Sequence, residues 1–98
     1  MNITVTEKAH DWFIEEIGLK KGDGIRFFGK VYGSTEVHDN FSVAINVGTP
    51  NDPLSTLEVD GITYFIEKTD DWFFKGYDFK VAYDENLKEV SYHFNTEE

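Results

Sequence analysis

Residues Thr56–Glu67 read TLEVDGITYFIE. Two strand-forming runs flank Asp60-Gly61, a dipeptide that marks a two-residue hairpin because both positions tolerate positive φ. The second run sets Tyr64 beside Phe65. Neighbouring side chains in a strand point to opposite faces. A strand with rings on both faces is either covered on both sides or carries an exposed, adhesive face. Phe27-Phe28, Trp72-Phe73 and Phe73-Phe74 repeat the theme within nine Phe, five Tyr and two Trp. The pattern points to a sandwich, a closed barrel or a subunit contact.

Working outward, the rest of the chain agrees. Asn2 to Val5 reads as a short strand. Thr6 is a suitable N-cap for a helix from Glu7 to about Ile17, with Gly18 as its stop. His10, Phe13, Ile14 and Ile17 fall at i, i+3, i+4 and i+7, one apolar stripe widened by Ala9 and Trp12. From Gly24 the period becomes two. Ile25, Phe27 and Val31 share one face, and Gly29 interrupts that set as a candidate bulge. FSVAINV (Phe41 to Val47) alternates clearly, and GTPNDP with its two prolines is a loop. Thr69 is expected to cap one helical turn, DDWFFKG, closed by Gly76. YDFKVAY and LKEVSYHF form a last hairpin around DEN, and the tail NTEE is expected to fray. The reading is a mainly β domain, a sandwich or barrel of mixed strands, with one N-terminal helix and one short helical turn.

Composition bounds the function. At 98 residues the chain is expected to be one domain, hiding roughly 60–70% of its unfolded surface. Nineteen Asp and Glu against nine Lys and Arg give a formal charge of −10. Such a surface repels phosphate backbones and anionic lipid, so neither a nucleic acid nor a membrane is an expected partner. The start has neither a basic leader nor an apolar run, and the expected location is cytoplasmic. With no cysteine, thiolate metal sites and cysteine nucleophiles are excluded.

The order of elements resembles the A-type iron–sulfur carrier family, the HesB/IscA-like proteins. NITVTEKAHDWFIEEI is similar to the family's opening strand, cap and helix. GIRFFGKVYGS is similar to the strand that runs into its first cysteine turn. VDGITYFIEKTDDWFFKGYDF resembles its hairpin, short helix, glycine and acidic-aromatic pair, with Gly76 and Asp78 placed alike. The resemblance implies a HesB-like pseudobarrel and self-association as a dimer or tetramer. Its three ligating cysteines are missing: Gly33-Ser34 stands at the first cysteine turn, and the chain ends SYHFNTEE. Serine ionises far above neutral pH and is a hard ligand, so no cluster-carrying residue transfers to this chain.

Two functional expectations follow. The first is a non-enzymatic, cysteine-free member of that family, acting through protein contact or self-association and linked to iron–sulfur cluster biogenesis or iron metabolism. It has no cofactor, and the turn, the aromatic pairs and Trp72 supply the contact surface. The second is a mononuclear metal site. Glu36, His38 and Asp39 are hard or borderline ligands, and in an extended turn Glu36 and His38 share a face. The resemblance brings the C-terminal segment towards this turn, which makes Glu36, His38 and His93 the candidate ligand set. His10 reads as a packed residue at the edge of the helix stripe. By alternation His93 shares a face with Glu89 and Ser91, where Glu89 is its expected partner. A hydrolytic arrangement of Ser34, His38 and Asp39 fails, because three residues of one short turn do not converge on a separate oxyanion site.

Overall fold

The computed structural model of the chain describes residues 1–34 and 39–97. In chain order the elements are β1 (Ile3–Val5), α1 (Glu7–Ile17), β2 (Gly24–Ser34), β3 (Asp39–Val47), β4 (Pro53–Val59) and β5 (Ile62–Glu67). A 3-10 turn (Lys68–Asp70), α2 (Asp71–Phe74), β6 (Tyr77–Asp84) and β7 (Glu89–Thr96) complete it. The fold is mainly β, as the alternation predicts. One sheet has the order β1-β6-β7 and the other β3-β2-β5-β4. Both are mixed: β1 runs parallel to β6 and β2 parallel to β5, and the remaining pairs are antiparallel.

Local chemistry explains the boundaries. The Thr6 hydroxyl accepts the Ala9 N–H at 3.3 Å, and Gly18 ends α1 at φ 75°, donating to Ile14 O at 3.0 Å. Asp60 and Gly61 take φ 52° and 82° between Val59 and Ile62, as the two-residue hairpin requires. In the last hairpin Asp84 Oδ1 accepts the N–H groups of Asn86 and Leu87 at 2.9 and 3.2 Å. All eight residues of β7 then pair with β6 without a shift.

The sheets meet through rings. Phe27 stacks on Tyr64 with centroids 6.1 Å apart, Phe79 stacks on Tyr92 at 5.8 Å, and Phe27 meets Phe79 edge-on at 5.2 Å. That last contact ties β2 of one sheet to β6 of the other. The doubled aromatics are resolved as the two-faced reading requires. Tyr64 enters this core, and Phe65 is also buried, on the opposite face, where residues 46–49, Asn51 and Asp52 line a cleft over it. Phe28 lies outside, with the Arg26 guanidinium carbon 5.0 Å from its ring centre.

Several local expectations are corrected. Ile14 is not on the buried stripe: it is 36% exposed, and Ala9, His10 and Phe13 are the buried residues of α1. The small Ala9 side chain lets that side of the helix approach the sheet. Gly29 is no bulge; it pairs in register with Val43, and the shift falls between Val31 and Ser34. Pro53 belongs to β4, an edge strand that tolerates a missing donor. Thr69 does not cap. The 3-10 turn begins two residues earlier, at Lys68 with Glu67 in the cap position, and α2 takes Asp70 as its own N-cap. The tail does not fray at Asn95. Glu97 N–H reaches Gly76 O at 3.1 Å, and the Glu97 carboxylate takes the N-terminal ammonium at 3.0 Å.

Candidate interaction surface

Helix α2 is four residues long and joins the two sheets. Successive helical residues are turned by about 100°, so burying two neighbours leaves the one before them to solvent. Phe73 and Phe74 are fully buried, and Trp72 is 53% exposed. Phe73 meets Phe94 of β7 at 5.8 Å, while Trp72 meets Phe41 of β3 at 5.5 Å, both edge-on. Trp72 also packs edge-on against Phe73 at 5.5 Å. The indole is therefore an exposed apolar plate on a rigid aromatic base, the type of residue that dominates protein contacts.

A second feature lies on the outer face of the β3-β2-β5-β4 sheet. Arg26 donates through Nε and Nη2 to Asp70 Oδ2 at 3.2 and 2.7 Å. Asp70 is buried and Arg26 partly so. Beside them Glu67, also buried, accepts the N–H groups of Asn51 and Asp52 at 2.8 and 2.7 Å. These two bonds hold its carboxyl below the usual glutamate range. Arg26, Glu67 and Thr69 line an open cleft of about 480 Å³ with residues 46–49. The charges are mutually satisfied and tie loop to sheet, so the cleft is a structural joint.

His10 is buried at the other side of the sandwich. Its Nδ1 lies 2.6 Å from the Tyr64 hydroxyl. Burial, followed by the charges of Asp11 and Asp60, raises the Tyr64 pKa, so the phenol stays protonated beside the ring. Nε2 sits 3.2 Å from Asp60 Oδ2 without hydrogen-bond alignment. His10 thus clamps α1 to the β4–β5 hairpin, a deeper role than the edge packing expected of it.

Of the expected metal set, Glu36 and His38 lie outside the described residues. His93 stands on β7 opposite Lys80, with Nε2 2.8 Å from Ser91 Oγ. Its hydrogen-bonding neighbour is Ser91 rather than the expected Glu89. Gly33 and Ser34 are the last two residues of β2. Among the described residues no three His, Asp or Glu side chains converge as metal ligands. No helix among them is long and apolar enough to cross a membrane.

Comparison with known proteins supplies what this geometry leaves open. No family model matches the chain. It is 38% identical over 94 residues to a Bacillus subtilis protein named pyruvate dehydrogenase inhibitor, covering 96% of this chain and 99% of that one. The chain belongs to the family of that inhibitor. An uncharacterized protein of Staphylococcus saprophyticus is 30% identical over 95 residues, covering 94% of this chain and 97% of its own. Both relationships cover nearly the whole of each chain.

This corrects the functional expectation. The link to iron–sulfur biogenesis or iron metabolism is overturned by a relative named for inhibiting pyruvate dehydrogenase. That expectation rested on a resemblance whose ligating cysteines are missing here, and absent ligands do not specify a new task.

Proposed function

We propose that this chain inhibits pyruvate dehydrogenase by direct, non-covalent contact and is not itself an enzyme. The observation that carries the reading is identity to the Bacillus subtilis pyruvate dehydrogenase inhibitor over nearly the full length of both proteins. Two features support it. Trp72 offers a half-exposed anchor on a rigid base. The net charge of −10 favours approach to a basic protein surface.

The test is a titration. Pyruvate dehydrogenase complex from the source organism is assayed by NADH formation with increasing amounts of this chain. The rate falls progressively and recovers on dilution. An unchanged rate at large molar excess sinks the proposal. Loss of rate that dilution never restores argues instead for covalent or catalytic inactivation.

A further inference from the structure

The floor of the Arg26 cleft is one row across β3, β2 and β5. Arg26 is paired in register with Asn46 on one side and with Phe65 on the other. Residues two apart on a strand share a face, which adds Glu67 to this floor. The loop after β3 roofs the row and is pinned at both ends. Gly48 N–H bonds Gly24 O at 3.0 Å, the N–H groups of Asn51 and Asp52 bond Glu67, and Lys68 N–H bonds Asp52 O at 2.9 Å. The cleft is therefore held in shape by the fold itself. Its volume of about 480 Å³ falls within the ~300–1,000 Å³ of small-molecule sites.

The bonds that tie this joint satisfy its charges and leave hydrogen-bonding capacity over. Asp70 takes one N–H of the guanidinium on Nε and one on Nη2. The rest, both on Nη1 among them, have no partner among the described residues. Asp70 at one edge and Phe28 against one face hold the planar fork still, in the form that receives a carboxylate. Each Glu67 oxygen accepts one backbone N–H, and a carboxylate oxygen has a second lone pair for another donor. The cleft thus offers spare donors on a cation and spare acceptors on an anion. Arg26 is near enough to act on the Glu67 charge. The wall beside them is apolar: Val47 lines the cleft and is 57% exposed.

We propose that this cleft binds a free α-amino acid with an apolar side chain. The ligand carboxylate lies on Arg26, its ammonium on Glu67 and its side chain against Val47. Charge selects the class. A simple anion meets Glu67 and Asp52 in the same cleft, on a chain of net charge −10. A simple cation meets the Arg26 guanidinium. A zwitterion answers both groups and adds no net charge. An α-amino acid carries its two charges on one carbon, which suits two side chains that stand close together on one sheet face. The exposed Val47 then gives the third group of the ligand an apolar surface to cover. This site does not rest on the inhibitory reading.

The experiment is an amide NMR titration of the full chain with L-leucine. Two half-molecules run beside it: 4-methylpentanoate, which lacks the ammonium, and 3-methylbutylamine, which lacks the carboxylate. L-leucine moves the Asn51 and Asp52 amide signals in a saturable way. Each half-molecule binds more weakly by about tenfold or more, the loss of one charge-assisted contact. Two variants place the site. Arg26→Lys keeps a cation for Asp70 and loses the fork, and Val47→Asp sets a carboxylate against the ligand side chain at an exposed position. Each weakens L-leucine by on the order of tenfold, and circular dichroism checks that each is folded. No saturable shift with L-leucine, L-valine or L-phenylalanine at millimolar concentration overturns the proposal. Equal affinity for either half-molecule overturns the pairing of the two charges. Shifts confined to other parts of the chain, or affinity that ignores both variants, overturn the location. Pyruvate dehydrogenase is absent from the sample, so inhibition does not enter any of these outcomes.

Discussion

The ring of Phe73 occupies the space that a side chain at Gly29 would need. A methyl group on Gly29 would fall 2.4 Å from Phe73 Cδ1 and 2.6 Å from Cγ, well inside contact distance. Gly29 lies in the middle of β2, and Phe73 is the buried centre of α2. This one approach seats α2 on the sheet and sets where Trp72 stands.

Gly29→Ala is therefore expected to destabilise the protein by overpacking, by about 1–3 kcal/mol. Thermal unfolding should drop by roughly 4–8 °C per kcal/mol for a domain of this size. Adding Phe73→Leu should recover part of the loss. Strictly additive effects in the double variant would show that the two residues do not compete for space.

Trp72→Ala separates function from stability. With half its surface in water, the indole should contribute about 1 kcal/mol or less to folding through its edge contacts. If it anchors the inhibitory complex, the inhibition constant should rise roughly thirtyfold, as for a central contact residue. NADH-formation assays beside a melting curve check both. Unchanged inhibition would move the contact elsewhere on the surface.

The Arg26–Asp70 pair joins β2 to the turn before α2, 44 positions apart. Asp70→Ala leaves a partly buried guanidinium without its carboxylate and should cost about 2–3 kcal/mol. Denaturant midpoints measure it. Adding Arg26→Met should return much of the loss, since it removes the stranded charge.

Glu67 gives an acid dependence with a definite sign. Its folded pKa lies below the unfolded glutamate value because two backbone N–H groups bind the carboxylate. The stability this supplies is present above the unfolded pKa, about 4.3, and is lost as pH falls through the folded value. The gap in stability between native and Glu67→Gln proteins should be widest near neutrality and narrow progressively below about pH 4. Denaturant unfolding at several pH values measures the gap; one that stays constant would remove Glu67 as the source.

The alkaline side has the opposite sign. Burial raises Tyr64, and it pushes Tyr92 up to about 12. Stability from these neutral phenols is complete below the unfolded tyrosine value, about 10, and is lost as pH rises through their folded values. Ultraviolet titration should show two of the five tyrosines ionising late. Tyr64→Phe removes one late step and, by orphaning His10 Nδ1, should cost about 1–3 kcal/mol. A titration in which all tyrosines ionise together would contradict this burial.

Much of the architecture is legible in local patterns. Alternation marked β2 to β7, Thr6 and Gly18 bounded α1, and Asp60-Gly61 turned the hairpin, since each signal acts between residues a few positions apart. The doubled rings announced strands either covered on both faces or carrying an exposed one. What they could not announce was the cover. Phe65 lies under a loop held by Glu67, and Phe73 lies over Gly29. Gly29 looked like a bulge because a strand glycine carries no sign of what approaches it from 44 residues away.

The candidate surface divides in the same way. Trp72 could be named as a contact residue from its type, but its exposure depends on which neighbours of a four-residue helix turn inward. Function was less legible still: the missing cysteines excluded one chemistry and pointed to no other, and comparison with whole relatives was needed. The amino-acid order alone determined the elements, the acidic surface and the exclusion of thiolate chemistry, because these depend on short-range periodicity and composition. Only the tertiary structure decided which ring is exposed and which charges pair. Those follow from packing between segments distant in sequence, where no local signal reaches.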